Sequence, residues 1–250
     1  MIRLAEIPWV EAAAWCASAK QPVVLVPVGA TEAHGPHLPL GTDALLSEEL
    51  ARRVAETLEA RGGTVLVAPT VAYAITEYAH GFCGTISLSP ATATALVTDI
   101  CASLIEQGFL RVCLVNSHLE PAHVASLRAA ATAVEARTGR KLAFADQTER
   151  RWARTLTDEY KRGACHAGSY ETSLMLAARP ELVRDSRRAL PPLPINLAEA
   201  MKHGVRSFEE AGAVDAYFGD PAGATVEEGE SIYALLVTMV LTTIEETWSS

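Results

Sequence analysis

The chain has 250 residues, of which 49% are hydrophobic, so we expect one domain with a large core over residues 1–250. Its formal net charge of -9 argues against a nucleic-acid partner, and its five scattered cysteines argue against a disulfide framework or a zinc ribbon. No apolar run is long enough to cross a bilayer, and the N-terminal residues lack a signal-peptide pattern, so we expect a cytoplasmic protein without a membrane partner.

Apolar runs and helical patterns alternate along the chain. Buried strands are predicted at residues 22–28, 64–68, 110–115 and 141–145, with a short further strand at 86–88. Helices are predicted at residues 42–61, 90–107, 122–138 and 226–248, with another from a turn at 166 to about 179. We expect Thr42 or Asp43 to cap the first helix and Ser89 to cap the second.

Strands that alternate with helices predict an α/β fold, a three-layer α/β/α sandwich with a mostly parallel central sheet. The connections include a long loop at residues 70–89, a partly helical lid at 149–165 and loops over the site at 189–223. Ligands of such sheets bind beyond the carboxyl ends of the strands. We therefore expect polar residues that directly follow strands to meet at one edge.

A glutamate and a histidine, two residues apart, follow each of two predicted strands. Glu32 and His34 lie in a proline-stiffened loop, and their spacing in an extended segment points both side chains the same way. His118 and Glu120 repeat this arrangement after another strand. With Asp43, the set offers five oxygen and nitrogen ligands, which is more than one catalytic zinc usually takes. We predict a pair of divalent ions with one bridging carboxylate, able to polarise a carbonyl and hold a hydroxide.

An amidase of this kind also needs a group that protonates the leaving nitrogen. His166 is the candidate because imidazole titrates near neutral pH, and Glu171 would orient that ring or hold the substrate. The alternative is a structural histidine beside a helix cap. A serine nucleophile at Ser117 lacks the Gly-x-Ser-x-Gly elbow, and Cys165 is adjacent to His166, a spacing that rarely forms a thiol–imidazole pair.

Four motifs together resemble the creatininase family. They lie at residues 27–43, 82–85, 115–120 and 166–173, and residues 219–225 resemble the family's closing segment. The first motif is the most specific, and the resemblance spans nearly the whole chain. It implies a creatininase-like fold and a hydrolase of cyclic amides, formamides or peptides.

The resemblance also implies a set of metal ligands. Asp43 would bridge two divalent ions, which in this family are zinc, manganese or iron. Glu32 and His118 would complete one site, and His34 and Glu120 would complete the other.

The resemblance further assigns the acid/base role to His166, and it implies a small-molecule substrate and a homo-oligomer, often a hexamer. Creatinine hydrolases of the family are expected to sandwich creatinine between two tryptophans, and here Trp152 has no second tryptophan at residues 153–165. This favours a substrate other than creatinine. We take Tyr73, His80 and Trp152 as candidate substrate-binding residues.

Three hypotheses follow for the function. The first is a dinuclear metal-dependent hydrolase of a C–N bond in a small metabolite. The second is a creatininase-family peptidase that trims a modified precursor peptide, as mycofactocin-type members do, with creatinine amidohydrolase itself as a further alternative. The third is a non-catalytic scaffold. This hypothesis predicts that some ligand residues are replaced, whereas all five are present.

Overall fold

Five parallel strands form the central sheet of the chain, whose computed structural model describes residues 1–248. The strands are β1 (Ile2–Arg3), β2 (Val23–Val28), β3 (Val65–Val67), β4 (Arg111–Asn116) and β5 (Ala143–Phe144). They lie in the order β1-β3-β2-β4-β5, and every neighbouring pair is parallel. β2 and β4 pair over their full lengths, so both strands end at the same edge of the sheet.

Helices cover both faces of this sheet. Within residues 1–248 they are α1 (Trp9–Cys16), α2 (Thr42–Ala60), α3 (Pro90–Glu106), α4 (Pro121–Thr138), α5 (Arg150–Ala153), α6 (Asp158–Lys161), α7 (Ser169–Ala178), α8 (Leu197–Lys202) and α9 (Val226–Trp248). Short 3-10 turns lie at Leu4–Glu6, Glu77–Ala79, Pro180–Leu182, Asp185–Ala189 and Pro221–Gly223. Helices α2, α7 and α9 pack on one face, and α1, α3 and α4 pack on the other. The predicted three-layer α/β/α sandwich is therefore confirmed.

The residues of β2 are all apolar, without the alternation of apolar and polar residues that a half-exposed strand has. Val23 and Leu25 pack into the core beneath α2, α7 and α9, whereas Val24 and Val26 pack beneath α3 and α4. A strand with helices on both faces must bury every side chain, and all six residues of β2 are buried. The continuous apolar run therefore specifies a central strand.

The start of α2 differs from the prediction. Its N-cap is Gly41, without a side-chain cap, and both Thr42 and Asp43 lie inside the first turn. Thr42 Oγ1 donates instead to the Pro39 carbonyl oxygen at 2.6 Å. Asp43 turns its carboxylate towards His34 and away from the helix amides. The prediction that Thr42 or Asp43 caps this helix is wrong because Asp43 has a partner elsewhere.

Four further elements were predicted wrongly or missed. Residues 86–88 form only an isolated bridge, at Ser87 opposite Ala74, because the Ile86 amide donates to the loop residue Thr31. The loops predicted at 189–223 contain the short helix α8, and β1 and α1 were not predicted. Among residues 1–248, none of the helices combines the length and apolar character that crossing a membrane requires.

Candidate functional site

The loop between β2 and α2 brings three polar side chains to the carboxyl edge of the sheet. At Gly29, a side chain would overlap the backbone of Ala44, so glycine lets α2 begin directly against the end of β2. This close approach places Asp43 beside the loop that carries Glu32 and His34, and all three residues are buried. His34 Nε2 lies 3.2 Å from Asp43 Oδ1.

The segment after β4 meets this loop. His118 Nδ1 lies 3.1 Å from Glu32 Oε1 and 3.0 Å from Asp43 Oδ2. Glu120 is also buried, and its carboxylate accepts the amides of Glu77 and Tyr78 at 3.3 and 3.4 Å. The two polar pairs therefore converge at one edge of the sheet, as the order of strands and loops predicts.

A backbone carbonyl fixes each imidazole of this cluster. His118 Nε2 donates to the Ile75 carbonyl oxygen at 2.7 Å, and His34 Nδ1 donates to the Glu32 carbonyl oxygen at 3.1 Å. A carbonyl can only accept, so the other ring nitrogen of each histidine is the one that faces the carboxylates. Histidines that bind metals are held in this way, with one nitrogen on a carbonyl and the other on the ion.

Charge in this cluster is strongly coupled. Burial opposes the charged form of His34, but the carboxylates of Asp43 and Glu171 outweigh it and raise its pKa to about 10. Burial likewise opposes the charged form of His118, and the Glu32 and Asp43 carboxylates raise its pKa well above the ordinary value. In the protein without cations, protons on these two rings therefore neutralise the buried carboxylates.

The pKa values of the acidic groups in this cluster shift in opposite directions. Burial raises the pKa of Glu120 to about 7 and holds the pKa of Glu171 above its ordinary value. Asp43 is also buried, but its two histidine neighbours hold its pKa well below the ordinary range. Asp43 is thus the ionised centre of the cluster, and the outer carboxylates are the ones that take up protons.

The candidate ligand atoms fall into three overlapping sets among the described residues. Glu32, His118 and Glu120 form one set, in which all ligand atoms lie within 4.8 Å of one another. His34, Asp43 and Glu171 form a second set under the same limit, and Glu32, His34 and His166 form a third. Glu120 therefore lies with Glu32 and His118, and Glu171 lies beside His34 and Asp43. The pairing of the five predicted ligands around two ions stays a prediction.

These residues fit divalent cations. The donor set consists of carboxylate oxygens and imidazole nitrogens, which suit zinc, manganese and iron. One oxygen, Glu32 Oε2, is buried and forms no hydrogen bond within the described part of the chain. A buried carboxylate oxygen without a donor is costly, and a cation would supply its missing partner.

His166 lies at the border of the cluster. Its ring packs between His34 and Phe208, each with a centroid distance of 4.4 Å, and its Nε2 donates to the Ala33 carbonyl oxygen at 3.0 Å. Burial lowers its pKa well below the ordinary value, so the ring is neutral. The next residue, Ala167, has a φ of 51°, and its amide donates to Glu171 Oε2 at 2.7 Å. Glu171 therefore holds the turn that presents His166.

A cavity of about 320 Å³ opens onto the cluster. Its polar end contains the carboxylates and imidazoles, and much of the remaining wall is apolar. The residues of that wall are Tyr78, Leu119, Pro121, Ala153, Tyr160, Leu197, Ala198, Met201 and Phe208. The lid and the segment around α8 thus cover the site, as predicted from their positions in the chain.

The three predicted substrate-binding residues lie elsewhere. Among the described residues that line the cavity, Trp152, Tyr73 and His80 do not occur. Trp152 packs against the core beneath α9, and Tyr73 and His80 point to solvent from the long loop. The neighbouring residues Ala153 and Tyr78 face the cavity instead.

Other site residues were not predicted. Asn116 ends β4, and its side chain donates to the His118 carbonyl oxygen at 2.6 Å, so it holds the loop that carries His118. A polar residue at the end of an apolar run was a usable signal for this role. Met201 and Phe208 line the cavity from a polar stretch without hydrophobic periodicity, so no pattern could have identified them.

A parallel α/β sandwich with a buried imidazole–carboxylate cluster at its carboxyl edge is typical of α/β enzymes with a candidate metal site. The sequence model of the family Creatininase, described as creatinine amidohydrolase, matches residues 5–244. The chain therefore belongs to the creatininase family, and it is a hydrolase of that family with candidate metal-binding groups.

Relatives and solved structures agree with this membership. The mycofactocin precursor peptide peptidase of Mycobacterium tuberculosis is 34% identical over 230 residues, which cover 86% of this chain and 82% of that protein. The creatinine amidohydrolase of Pseudomonas putida is 32% identical over 191 residues, which cover 71% and 72%. A crystal structure of creatinine amidohydrolase (creatininase) matches with a TM-score of 0.75 at 25% identity, covering 100% of this chain and 98% of that chain.

Proposed function

We propose that this chain is a dinuclear metal-dependent hydrolase of a C–N bond in a small amide, cyclic amide or formamide. The observation that carries this proposal is the shared arrangement of His34 and His118 around Asp43. Each ring has a backbone carbonyl on one nitrogen and a buried carboxylate on the other. This is the arrangement of imidazole metal ligands. Divalent cations would also neutralise the negative charge of the buried carboxylates.

The proposed ligands are Glu32, His34, Asp43, His118 and Glu120, with the carboxylate of Asp43 central to both histidines. Divalent cations held there would polarise the carbonyl of the scissile amide and lower the pKa of water.

His166 is the proposed acid/base. Because its Nε2 donates to the Ala33 carbonyl oxygen, its Nδ1 is the nitrogen that accepts a proton and passes it to the leaving amine. The lowered pKa keeps the ring neutral and therefore ready to accept. Glu171 holds the turn at Ala167, and the ring of Phe208 packs against the imidazole.

The cavity supports a substrate with a small apolar part. Its volume of about 320 Å³ lies at the low end for ligand sites, and its wall is mostly apolar. A second candidate is a peptide whose end enters the cavity. Four relatives named mycofactocin precursor peptide peptidase, at 32% to 34% identity, favour this candidate. Creatinine is the third candidate, supported by the relative from Pseudomonas putida.

The test compares substrates on protein loaded with zinc, manganese or iron. The panel contains creatinine, other cyclic amides, N-formyl amines and short peptides, and mass spectrometry detects the products. We expect hydrolysis of neutral small amides at a higher kcat/KM than that of any peptide. Peptide cleavage alone would support the second candidate, and no hydrolysis by any metal-loaded form would overturn the proposal.

The cytoplasmic location and the hexameric homo-oligomer remain predictions from the sequence. Light scattering coupled to gel filtration measures the assembly, and cell fractionation measures the location.

A further inference from the structure

A half-buried carboxylate in the lid joins two distant segments of the chain. Glu159 lies in α6, and its Oε1 accepts the amide of Tyr170 at 2.9 Å while its Oε2 accepts the amide of Asp220 at 2.8 Å. Tyr170 lies in the first turn of α7, whose N-cap residue Gly168 has no side chain to bind the free amides. Glu159 therefore replaces the missing cap of α7 and also anchors the segment around Asp220.

Two glycines make room for this carboxylate. A Cβ atom at Gly168 would overlap Glu159 Oε1, and a Cβ atom at Gly219 would overlap Glu159 Oε2. Burial raises the pKa of Glu159, and the backbone amides that it accepts oppose that change. The site is thus shaped on both sides around one acidic side chain.

The segments that Glu159 joins are the ones that position His166. The Phe218 amide donates to the His166 carbonyl oxygen at 2.8 Å, and the Ala164 amide donates to the Glu159 carbonyl oxygen at 3.3 Å. Ala167 directly follows His166 and has a φ of 51°. A non-glycine residue keeps this conformation only where its surroundings hold it. The hydrogen bonds of the Glu159 carboxylate therefore go to backbone amides on either side of the site and not to His166.

We propose that Glu159 is a positioning residue, which holds the His166 turn and the start of α7 in the geometry that catalysis needs. This rests on the proposed function, in which His166 is the acid/base. Without this carboxylate, the amides of Tyr170 and Asp220 lose their acceptor, and the turn at Ala167 relaxes. The ring of His166 then leaves its place between His34 and Phe208.

The test uses Glu159→Gln, which keeps the shape of the side chain. Its amide offers one acceptor oxygen and one NH₂ group, and that NH₂ group would face a backbone donor, so one of the two bonds is lost. The matched control is Asp158→Asn, which removes an exposed carboxylate from the same helix. Glu159→Asp, which keeps the charge but is one methylene shorter, replaces the Gln variant if that variant does not fold.

The first readout is hydrogen exchange of the metal-loaded protein and does not depend on activity. We expect exchange in residues 164–172 and 218–221 to be about tenfold faster in Glu159→Gln and unchanged in Asp158→Asn. Unchanged exchange in Glu159→Gln would overturn the proposal, even if the enzyme is active.

The second readout is the kinetics of the variant with its metal content verified. We expect kcat to fall about tenfold or more, with KM within about twofold and the metal content unchanged, because the cavity wall and the ligands stay in place. Faster exchange with an unchanged kcat would overturn the positioning role. A wild-type protein without hydrolytic activity would overturn the proposed function, and the exchange data would still decide whether Glu159 holds the turn.

Discussion

His118 Nδ1 lies 3.0 Å from Asp43 Oδ2, although one side chain follows β4 and the other opens α2. The second oxygen of the same carboxylate lies 3.2 Å from His34 Nε2. Asp43 therefore contacts both histidines, one through each oxygen. This central position is what a bridging ligand needs, and it follows from the parallel pairing of β2 and β4.

Metal uptake should depend on pH. In the metal-free protein the pKa of His34 is raised to about 10, so this ring holds a proton at neutral pH that a cation must displace. Affinity therefore rises with pH, by about tenfold per pH unit for each proton displaced. Calorimetry at about pH 6.5 and pH 8, in buffers of different ionisation enthalpy, measures both the affinity and the protons released. An affinity that does not change over this range would contradict the assignment of His34.

Removal of one imidazole should abolish the metal site. His118→Ala deletes the nitrogen that faces Glu32 and Asp43, so we expect loss of stoichiometric metal and a fall in turnover of more than about 100-fold. His203→Ala is the control, because that histidine is exposed on α8's C-terminal side. Metal content by elemental analysis and hydrolysis rates report both effects. Full activity of His118→Ala would exclude this residue as a ligand.

Substitution of His166 should separate chemistry from metal binding. His166→Gln keeps an amide group near the position of Nε2 that can donate to the Ala33 carbonyl oxygen but cannot shuttle a proton at neutral pH. We expect kcat to fall about 100- to 10,000-fold with an unchanged metal content. Steady-state kinetics on the metal-loaded variant measure this fall. A variant that keeps its kcat would show that His166 is structural.

Truncation in the central strand should test the fold. Leu25 is fully buried in β2, and Leu25→Ala should lower the free energy of unfolding by about 2–5 kcal/mol. The control is Leu235→Ala, because Leu235 is 40% exposed on α9 and should change stability by less than about 0.5 kcal/mol. Denaturant unfolding compares the two variants. Equal effects would contradict the placement of β2 at the centre of the sheet.

The fold was predictable where burial alone decides the local structure. β2 and β4 read as continuous apolar runs because helices cover both of their faces. β1 has only two residues and joins the sheet through its pairing with β3, so no local pattern marks it. The N-cap of α2 was predicted wrongly because Asp43 serves the buried cluster, a tertiary contact that outweighs a local preference.

The site was predictable as far as its polar residues follow strands. The convergence of Glu32 and His118 follows from the parallel sheet, and the distance of 3.1 Å between them agrees. The wall of the cavity comes from the lid and from α8, where the sequence has no regular period. Whether Ala153 or its neighbour Trp152 faces the cavity depends on the orientation of the short helix α5 about its axis. Tertiary packing sets that orientation, and composition does not.

The most direct test of the central claim is an anomalous-scattering map of crystals of the metal-loaded protein. We expect two peaks that both contact Asp43, with His34 Nε2 and His118 Nδ1 each within about 2.3 Å of a peak. A single peak away from Asp43, or no peak among these side chains in protein with measured stoichiometric metal, would contradict it.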